Sequence, residues 1–281
     1  MMNNATAALV ACGDIGMRLA KGLHDDGWRC LGLRRNPQQL PAYIEPVAAD
    51  LNEVASLQVL CAERPALLLF TPTPASRSAE GYAQGFARAA RNIVTALNEH
   101  HPALALLVSS TRVYAEHDGG WVDEGSALNR DDPAARAIVE AEEAFLTALP
   151  TAVVLRAGGL YGDGPGYLVR RVGSGDHSAS EPLRFSNRIH RDDLVGFMQH
   201  LLTLERRERI YNLVDNDPAP QHEVEHWLCE QMKLPWRPAA GAADAARGHK
   251  RVSNQRLRDS GYVLQYPDYR TGYTQVLRSA G

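Results

Sequence analysis

Apolar residues in this chain follow two alternating periods. Short unbroken runs, Thr6-Ala7-Ala8-Leu9-Val10, Ala66-Leu67-Leu68-Leu69-Phe70, Leu104-Ala105-Leu106-Leu107-Val108 and Val153-Val154-Leu155-Arg156, have the pattern of strands covered by helices on both faces. Between them apolar positions recur every three or four residues: Leu19, Ala20 and Leu23 after the first run, then Tyr82, Phe86, Ala90, Ile93 and Leu97 within Ser78 to Glu99. Pro133, a favoured first helical residue, opens a further helix to Leu149. Trp28 to Arg35 supplies a second strand, Ile44 to Leu51 a short third, and Leu57 to Ala62 a short helix. Such alternation predicts an α/β fold, a doubly wound parallel sheet of order 3-2-1-4-5-6 with right-handed crossovers. Beyond residue 157 the rhythm degrades. A glycine-rich loop (Gly158 to Gly166) and a polar, turn-like stretch (Val172 to Arg184) precede a helix at Asp192 to Leu204, a seventh strand at Ile210 to Val214 and a helix from Pro220 to Met232. This irregular part reads as a small C-terminal lobe whose loops carry specificity.

Composition removes several function classes. A net charge of -3, with charged residues at 22% and the arginines scattered, offers no surface for a polyanion, so no nucleic-acid partner is expected. Cys12, Cys30, Cys61 and Cys229 lie far apart without a C-x-x-C pair, which suits free thiols in a reducing cytosol and no metal site. Met1-Met2-Asn3-Asn4 lacks the basic and apolar regions of a secretory signal, and no apolar run approaches the roughly 20 residues of a membrane span. A soluble, cytoplasmic protein with no membrane partner is the expectation.

Candidate chemistry begins at the first turn. The first strand breaks at Gly13-Asp14-Ile15-Gly16 and a helix follows, the context that a dinucleotide-binding loop requires. Gly13 lets a pyrophosphate approach the backbone, Gly16 lets the helix pack on the strand, and the helix N-terminus offers free N–H groups. The full fingerprint is G-x-G-x-x-G, and its first glycine is replaced by Ala11. About 20 positions further on, an acidic residue would bind the ribose 2′-hydroxyl of NAD and an arginine a 2′-phosphate. Arg34 and Arg35 stand there without a carboxylate, which favours NADP over NAD. A second motif, His222-Glu223-Val224-Glu225-His226, matches the H-E-x-x-H zinc pattern, but it sits late in the chain, on a helix striped by Val224, Leu228 and Met232, with no third ligand following. It is read as chance surface histidines, and no metal is expected.

Six segments in order resemble the extended and atypical short-chain dehydrogenase/reductases, the NAD-dependent epimerase/dehydratase group: Cys12 to Gly16, Asp50-Leu51, Ser109 to Tyr114, Leu155 to Gly162, Arg188 to Leu194 and Tyr211 to Val214. The resemblance implies an NAD(P)-binding Rossmann domain at 1–160 and a substrate lobe over most of 161–281, with 188–215 returning to the sheet. It places Asp50 and Leu51 at the adenine, Thr71-Pro72 on the cofactor crevice at the end of the fourth strand, and Ser109, Arg156 and Gly158 among the cofactor-binding residues. It also implies homodimerisation through the helices at Ser78 to Glu99 and Pro133 to Leu149.

Family members that transfer hydride pair a Ser or Thr after the fifth strand with Tyr-x-x-x-Lys on the next helix, where the ammonium lowers the tyrosine pKa. Ser110 aligns with the hydroxyl, but Ala134 (or Ala135) and Ile138 (or Val139) occupy the Tyr and Lys positions, and the only lysines are Lys21, Lys233 and Lys250. Two readings follow. In one, the chain is an NAD(P)-dependent oxidoreductase or epimerase with a substituted acid/base, acting on a small sugar-like or sugar-nucleotide ligand. Ser110, Tyr114 and Tyr161 are then the catalytic candidates, His190 and Asp193 lie nearby, and Arg156 is a group able to lower a phenol pKa. In the other, it is a non-catalytic NADP-binding sensor of the same fold. Structural roles compete for three of these residues: Tyr114 packing under its loop, and His190 and Asp193 capping a helix.

Overall fold

The buried runs form the strands expected of them. The computed structural model describes residues 5–162, 164, 166–239 and 249–279. Strands β1 (Thr6–Val10), β2 (Arg29–Arg34), β3 (Glu45–Ala48), β4 (Leu67–Phe70), β5 (Leu104–Ser110), β6 (Ala152–Ala157) and, late in the chain, Ile210–Leu213 build one seven-stranded sheet. Its order is Ile210–Leu213, β6, β5, β4, β1, β2, β3, so the sheet is doubly wound with the expected strand order. Residues Ala7 to Val10 and Leu67 to Phe70 are wholly buried, which is why these strands run apolar without alternation.

Helix α1 (Asp14–Asp25) buries Ile15, Gly16, Leu19, Ala20 and Leu23, the stripe read from the sequence. The segment expected at Leu57 to Ala62 divides into a 3-10 turn, Val54–Leu57, and α2 (Val59–Glu63), because only Leu57 and Leu60 reach the core there. The long helix α3 spans 79–97 and contains a π-turn, Ala83–Arg88. A Cβ on Gly85, inside that turn, would lie 2.4 Å from the Thr73 carbonyl oxygen, so a glycine is needed where the loop after β4 crosses the helix. Helix α4 (Pro133–Ala148) is capped by Asp132, whose carboxylate accepts from the amides of Ala134 and Ala135 at 3.3 Å.

The chain divides into two compact units. The first comprises Met1–Val113, Leu128–Arg156 and Phe197–Tyr211; the second comprises Tyr114–Ala127, Ala157–Gly196 and Asn212–Gly281. This division differs from a boundary at residue 160. Arg188 to Gly196 belong to the second unit, where β7 (Gly159–Tyr161) pairs in parallel with β8 (Arg188–His190). The second unit also holds α5 (Tyr167–Gly173), the start of α6 (Arg191–Thr203), part of β9 (the strand Ile210–Leu213 above), α7 (Gln221–Met232), a short helix α8 (Gln255–Asp259) and α9 (Tyr269–Ser279). Helix α5 occupies part of the stretch expected to be turn-like. Among the described residues no helix is long and apolar enough to cross a membrane.

In the first unit, register sets where the turns emerge. Val10 lies beside Leu33 on β2 and Phe70 on β4, and Phe70 beside Leu107 on β5. Ala11 to Gly13, Arg34-Arg35, Thr71-Pro72 and Ser109-Ser110 therefore share the carboxyl edge of the sheet, at the switch point between β1 and β4. At this edge Ala11, standing in the place of the first fingerprint glycine, adopts a left-handed backbone with φ of 57°. That conformation costs a non-glycine residue about 1–2 kcal/mol, and a glycine would recover most of it after about 0.4–1 kcal/mol of added unfolded-chain entropy. Ala11→Gly should stabilise the protein by about 0.5–1 kcal/mol in chemical denaturation. An unchanged or lower midpoint would show that no strain resides at Ala11.

Candidate functional site

The first turn leaves the end of α1 uncovered. The Ala11 carbonyl accepts from Thr71 Oγ1 at 3.0 Å, and the Cys12 amide donates to the Leu33 carbonyl at 3.1 Å. Gly13 is the N-cap of α1 and provides no side-chain cap, so the first N–H groups of this helix remain for an incoming acceptor. A Cβ on Gly13 would meet only the Ala11 oxygen, at 3.8 Å, whereas one on Gly16 would press on Cys12 Sγ at 3.2 Å. Gly13 thus leaves room and Gly16 permits close packing, the two roles assigned from sequence. Asp14 turns along the helix and accepts from Arg18 Nε at 2.9 Å, while Ile15 is buried. Burial raises the Cys12 thiol to about 12, against the opposing charge of Arg34, so the thiol stays neutral.

Arg34 ends β2 with Nη1 donating to the Cys12 carbonyl at 3.2 Å, which sets a half-buried guanidinium against the glycine turn; Arg35 is exposed. Asp50 is held below its ordinary carboxylate value, chiefly by the Asn52 amide at 2.9 Å and also by Arg35. The Leu51 carbonyl accepts from Asn92 Nδ2 at 2.8 Å, and Pro72 follows Thr71 out of the sheet.

Two of the sequence-predicted cofactor residues are committed elsewhere. Ser109 Oγ donates to Glu142 Oε1 at 2.5 Å, and Arg156 forks onto the same carboxylate through Nε at 3.1 and 3.2 Å and Nη2 at 2.7 Å. Both charged side chains are only 2% exposed. Arg156 is therefore the counter-ion of Glu142. Glu142 was missed from sequence, although it lies one helical turn beyond Ile138.

Ser110 is different: its Oγ accepts from the Arg112 amide at 3.2 Å, and among the described residues no acceptor takes its O–H. Arg112 pairs with Asp132 at 2.9 Å and lies 5.4 Å from the centroid of the Tyr82 ring. Ala134 and Ile138 are buried.

The second unit holds the remaining candidates. Tyr114 is 1% exposed, and its hydroxyl donates to Asn212 Oδ1 at 2.5 Å. Lys250 does approach this tyrosine, but its ammonium donates to the Tyr114 carbonyl at 2.9 Å and stands 5.9 Å from the ring centroid, a structural clamp that links 114 to 250. Tyr161 is 7% exposed, edge-on to His190 at 5.2 Å and against Tyr273 at 4.5 Å, and its O–H has no partner among the described residues. Burial, reinforced by Asp215, pushes this phenol well above its ordinary value, so it stays protonated and is no phenolate base.

His190 is fully buried, stacked on Tyr266 at 3.8 Å, with Nδ1 accepting from the Asp192 amide at 3.2 Å. Asp193 does not cap its own helix: it accepts from the amides of Gln265 and Tyr266 at 2.7 and 2.9 Å and so anchors that distant segment. Burial raises its pKa. Gly158 donates its N–H to the Leu213 carbonyl at 3.0 Å, and a Cβ there would lie 2.9 Å from the Arg188 nitrogen, so this glycine serves strand packing.

On α7, Glu223 is exposed, and His226 pairs with Glu230 at 3.6 Å and stacks on Trp236 at 5.6 Å. Among the described residues no group of three or more His, Cys, Asp or Glu could hold a metal.

Comparison with known proteins agrees with the glycine turn. A family profile described as NAD(P)H-binding matches residues 11–204. A Methylobacillus flagellatus protein assigned to the NAD-dependent epimerases/dehydratases is similar at 32% identity, over 99% of each chain, with a TM-score of 0.81. A conserved Silicibacter pomeroyi protein of unknown function is similar at 26% identity over 99% of each chain, TM-score 0.73. At 19% identity, covering 98% of this chain and 100% of the other with TM-score 0.78, the likeness to MoeE5 in complex with UDP-glucuronic acid and NAD is one of fold. No curated protein matches the chain.

One buried acid lends itself to direct measurement. Asp215 is 3.9 Å from Arg188 Nη1, and burial raises it from 3.8 to about 7 despite that arginine. The folded state therefore holds this proton more tightly than the unfolded chain. The associated stability is complete below pH about 4 and is lost as pH rises through about 7. Asp215→Asn should remove that slope, so that urea midpoints of parent and variant converge at acid pH and diverge toward pH 8. Parallel profiles across the range would contradict the raised value.

Proposed function

Since the chain belongs to the NAD(P)H-binding, epimerase/dehydratase-like short-chain dehydrogenase/reductases, we propose that it binds NADP at the turn after β1 and acts on a small, sugar-like ligand bearing a hydroxyl or carbonyl group. The observation that carries this reading is Arg34, whose Nη1 lies 3.2 Å from the Cys12 carbonyl beside an uncapped helix N-terminus. A guanidinium pairs bidentately with a 2′-phosphate, and the end of β2 supplies no carboxylate for the hydroxyl that NAD has in its place. The residues present fit the cofactor: Gly13 leaves the backbone uncovered, α1 directs free N–H groups outward, and Asp50 is ionised at the end of the adjoining strand.

When bound, NADP supplies the hydride acceptor and its reduced form the donor. The chain contributes orientation and polarisation. Ser110, whose O–H is uncommitted among the described residues, donates to the reacting oxygen of the substrate. Arg112, held by Asp132, keeps the Ser110 backbone turn in place through its amide. Tyr161 stays protonated and offers no phenolate base, and the Tyr114 hydroxyl is given to Asn212. The sugar-like substrate class is supported by MoeE5, which shares the fold and is bound to UDP-glucuronic acid.

A second reading, a sensor that binds NADP without turnover, is favoured by one observation: buried Ala134 and Ile138 stand where the resemblance puts the proton-moving pair.

Arg34→Ala should weaken NADP by about 10-fold or more, the size of a lost charge-assisted contact, while NAD changes less than about threefold. Equal losses in calorimetric titration would show that Arg34 does not read the 2′-phosphate. Ser110→Ala should lower any NADP-linked turnover about 100-fold at unchanged NADP affinity. Unaltered turnover removes Ser110 from the chemistry, and tight NADP binding with no turnover on sugars, sugar phosphates or sugar nucleotides favours the sensor.

A further inference from the structure

The turn after β1 departs from the fingerprint at Ala11, whose φ of 57° is a conformation that glycine adopts without strain. The peptide joining Ala11 to Cys12 is fixed at both ends. Its carbonyl, on Ala11, accepts from Thr71 Oγ1 at 3.0 Å, and its N–H, on Cys12, donates to the Leu33 carbonyl at 3.1 Å. Thr71 follows β4 and Leu33 lies on β2, the two neighbours of β1, so this one peptide plane is tied across the switch point. A trans peptide points its C=O and N–H in opposite directions, and neither end can turn without breaking the bond at the other.

The next two carbonyls are also taken. The Cys12 oxygen accepts from Arg34 Nη1 at 3.2 Å, and the Gly13 oxygen from the Met17 amide at 2.9 Å. The carbonyls of Ala11, Cys12 and Gly13 are thus drawn onto donors from the end of β4, the end of β2 and α1, and the first N–H groups of α1 are left for an incoming acceptor. A carbonyl oxygen swung toward a pyrophosphate would set two negative partial charges together. Among these donors, Thr71 acts on the strained residue. The ψ angle of Ala11 directs its carbonyl, so a hydroxyl that holds this oxygen also holds Ala11 in the left-handed region.

The loop carrying Thr71 is itself seated on α3. The Ala75 amide donates to the Gly81 carbonyl at 3.1 Å. A Cβ on Gly81 would lie 2.4 Å from the Ser76 carbonyl oxygen, and one on Gly85 2.4 Å from that of Thr73. The donor is therefore presented from a closely packed support.

Resting on the reading above that this turn binds a nicotinamide dinucleotide, we propose that Thr71 is a positioning residue for the cofactor. Its hydroxyl locks the Ala11–Cys12 peptide and so supplies, from the end of β4, the backbone conformation that the missing first glycine would provide. It acts through Ala11 and does not read the 2′-phosphate, so it serves NADP and NAD alike.

Calorimetric titration of the full-length protein with NADP and with NAD tests this. Thr71→Val, which keeps the shape and removes the hydroxyl, should weaken both nucleotides about fivefold with their ratio unchanged. Thr71→Ser, which restores the donor, should bind both within about twofold of the parent. In an Ala11→Gly background Thr71→Val should cost less than about twofold, because glycine holds the left-handed conformation unaided. A loss just as large in that background would show that Thr71 touches the cofactor directly, and a loss restricted to NADP that it reads the 2′-phosphate. Either result, undiminished affinity in Thr71→Val, or failure of serine to restore binding overturns the proposal. Urea denaturation without nucleotide separates the lock from the cofactor reading. Removing the hydroxyl lets Ala11 relax and recover its strain, so Thr71→Val should lower the urea midpoint less in the parent than in Ala11→Gly. Equal shifts overturn the lock. Should the parent bind neither nucleotide, the cofactor reading fails, and the urea comparison still decides whether Thr71 holds Ala11.

Discussion

A single carboxylate fixes the edge of the sheet on which the proposed chemistry depends. Glu142 enters from α4 and is held by Ser109 at the end of β5 and Arg156 at the end of β6, with its charge and its counter-ion both almost wholly out of water. Such a pair costs several kcal/mol to desolvate per ion, and it persists because its geometry is forked and its remaining lone pair is used. Removing one partner would strand the other. The pair therefore ties a helix to two strands, one residue before Ser110, whose side chain leaves the strand on the face opposite to that of Ser109.

The same economy governs the first turn. An alanine is held in a left-handed conformation by the Thr71 hydroxyl, and the glycine that follows leaves the helix end uncovered. Neither feature lowers the energy of the protein alone. On the proposed reading, both become favourable when the cofactor's phosphates supply acceptors for the helix N–H groups and pair with Arg34. Cys12, packed against Gly16 with its thiol kept neutral by burial, completes the turn as an apolar support and contributes no nucleophile.

In the second unit, buried polar groups do the work that strands do in the first. Asp193 gathers the amides of Gln265 and Tyr266; Glu124 accepts from the Asn212 amide at 2.8 Å; Asn254 donates to the Val214 carbonyl at 3.0 Å; and Lys250 reaches the Tyr114 carbonyl. Arg251 lies 5.3 Å from the Trp121 ring centroid and 4.9 Å from that of Phe185. These contacts join segments between 40 and 136 residues apart in sequence, which explains how an irregular stretch of loops acquires a defined packing.

Much of the first unit was legible in the order of residues. Unbroken apolar runs can be buried only as central strands, a 3.6-residue stripe can be buried only as a helix, and their alternation leaves one handed way to close the sheet. Gly13, Gly16, Arg34 and Ser110 could be located in the fold because each lies at or within a few residues of a strand end. What the sequence could not specify is which charges neutralise one another. Arg156 read as a cation able to act on a phenol until Glu142 on α4 met it, and Asp193 read as a cap until the 265–266 backbone claimed it. Local propensity acts over one turn of chain, whereas desolvation and pairing depend on neighbours brought from far away. The sheet and its glycine turn therefore follow from the sequence, and the partners of the buried charges were decided by the tertiary fold.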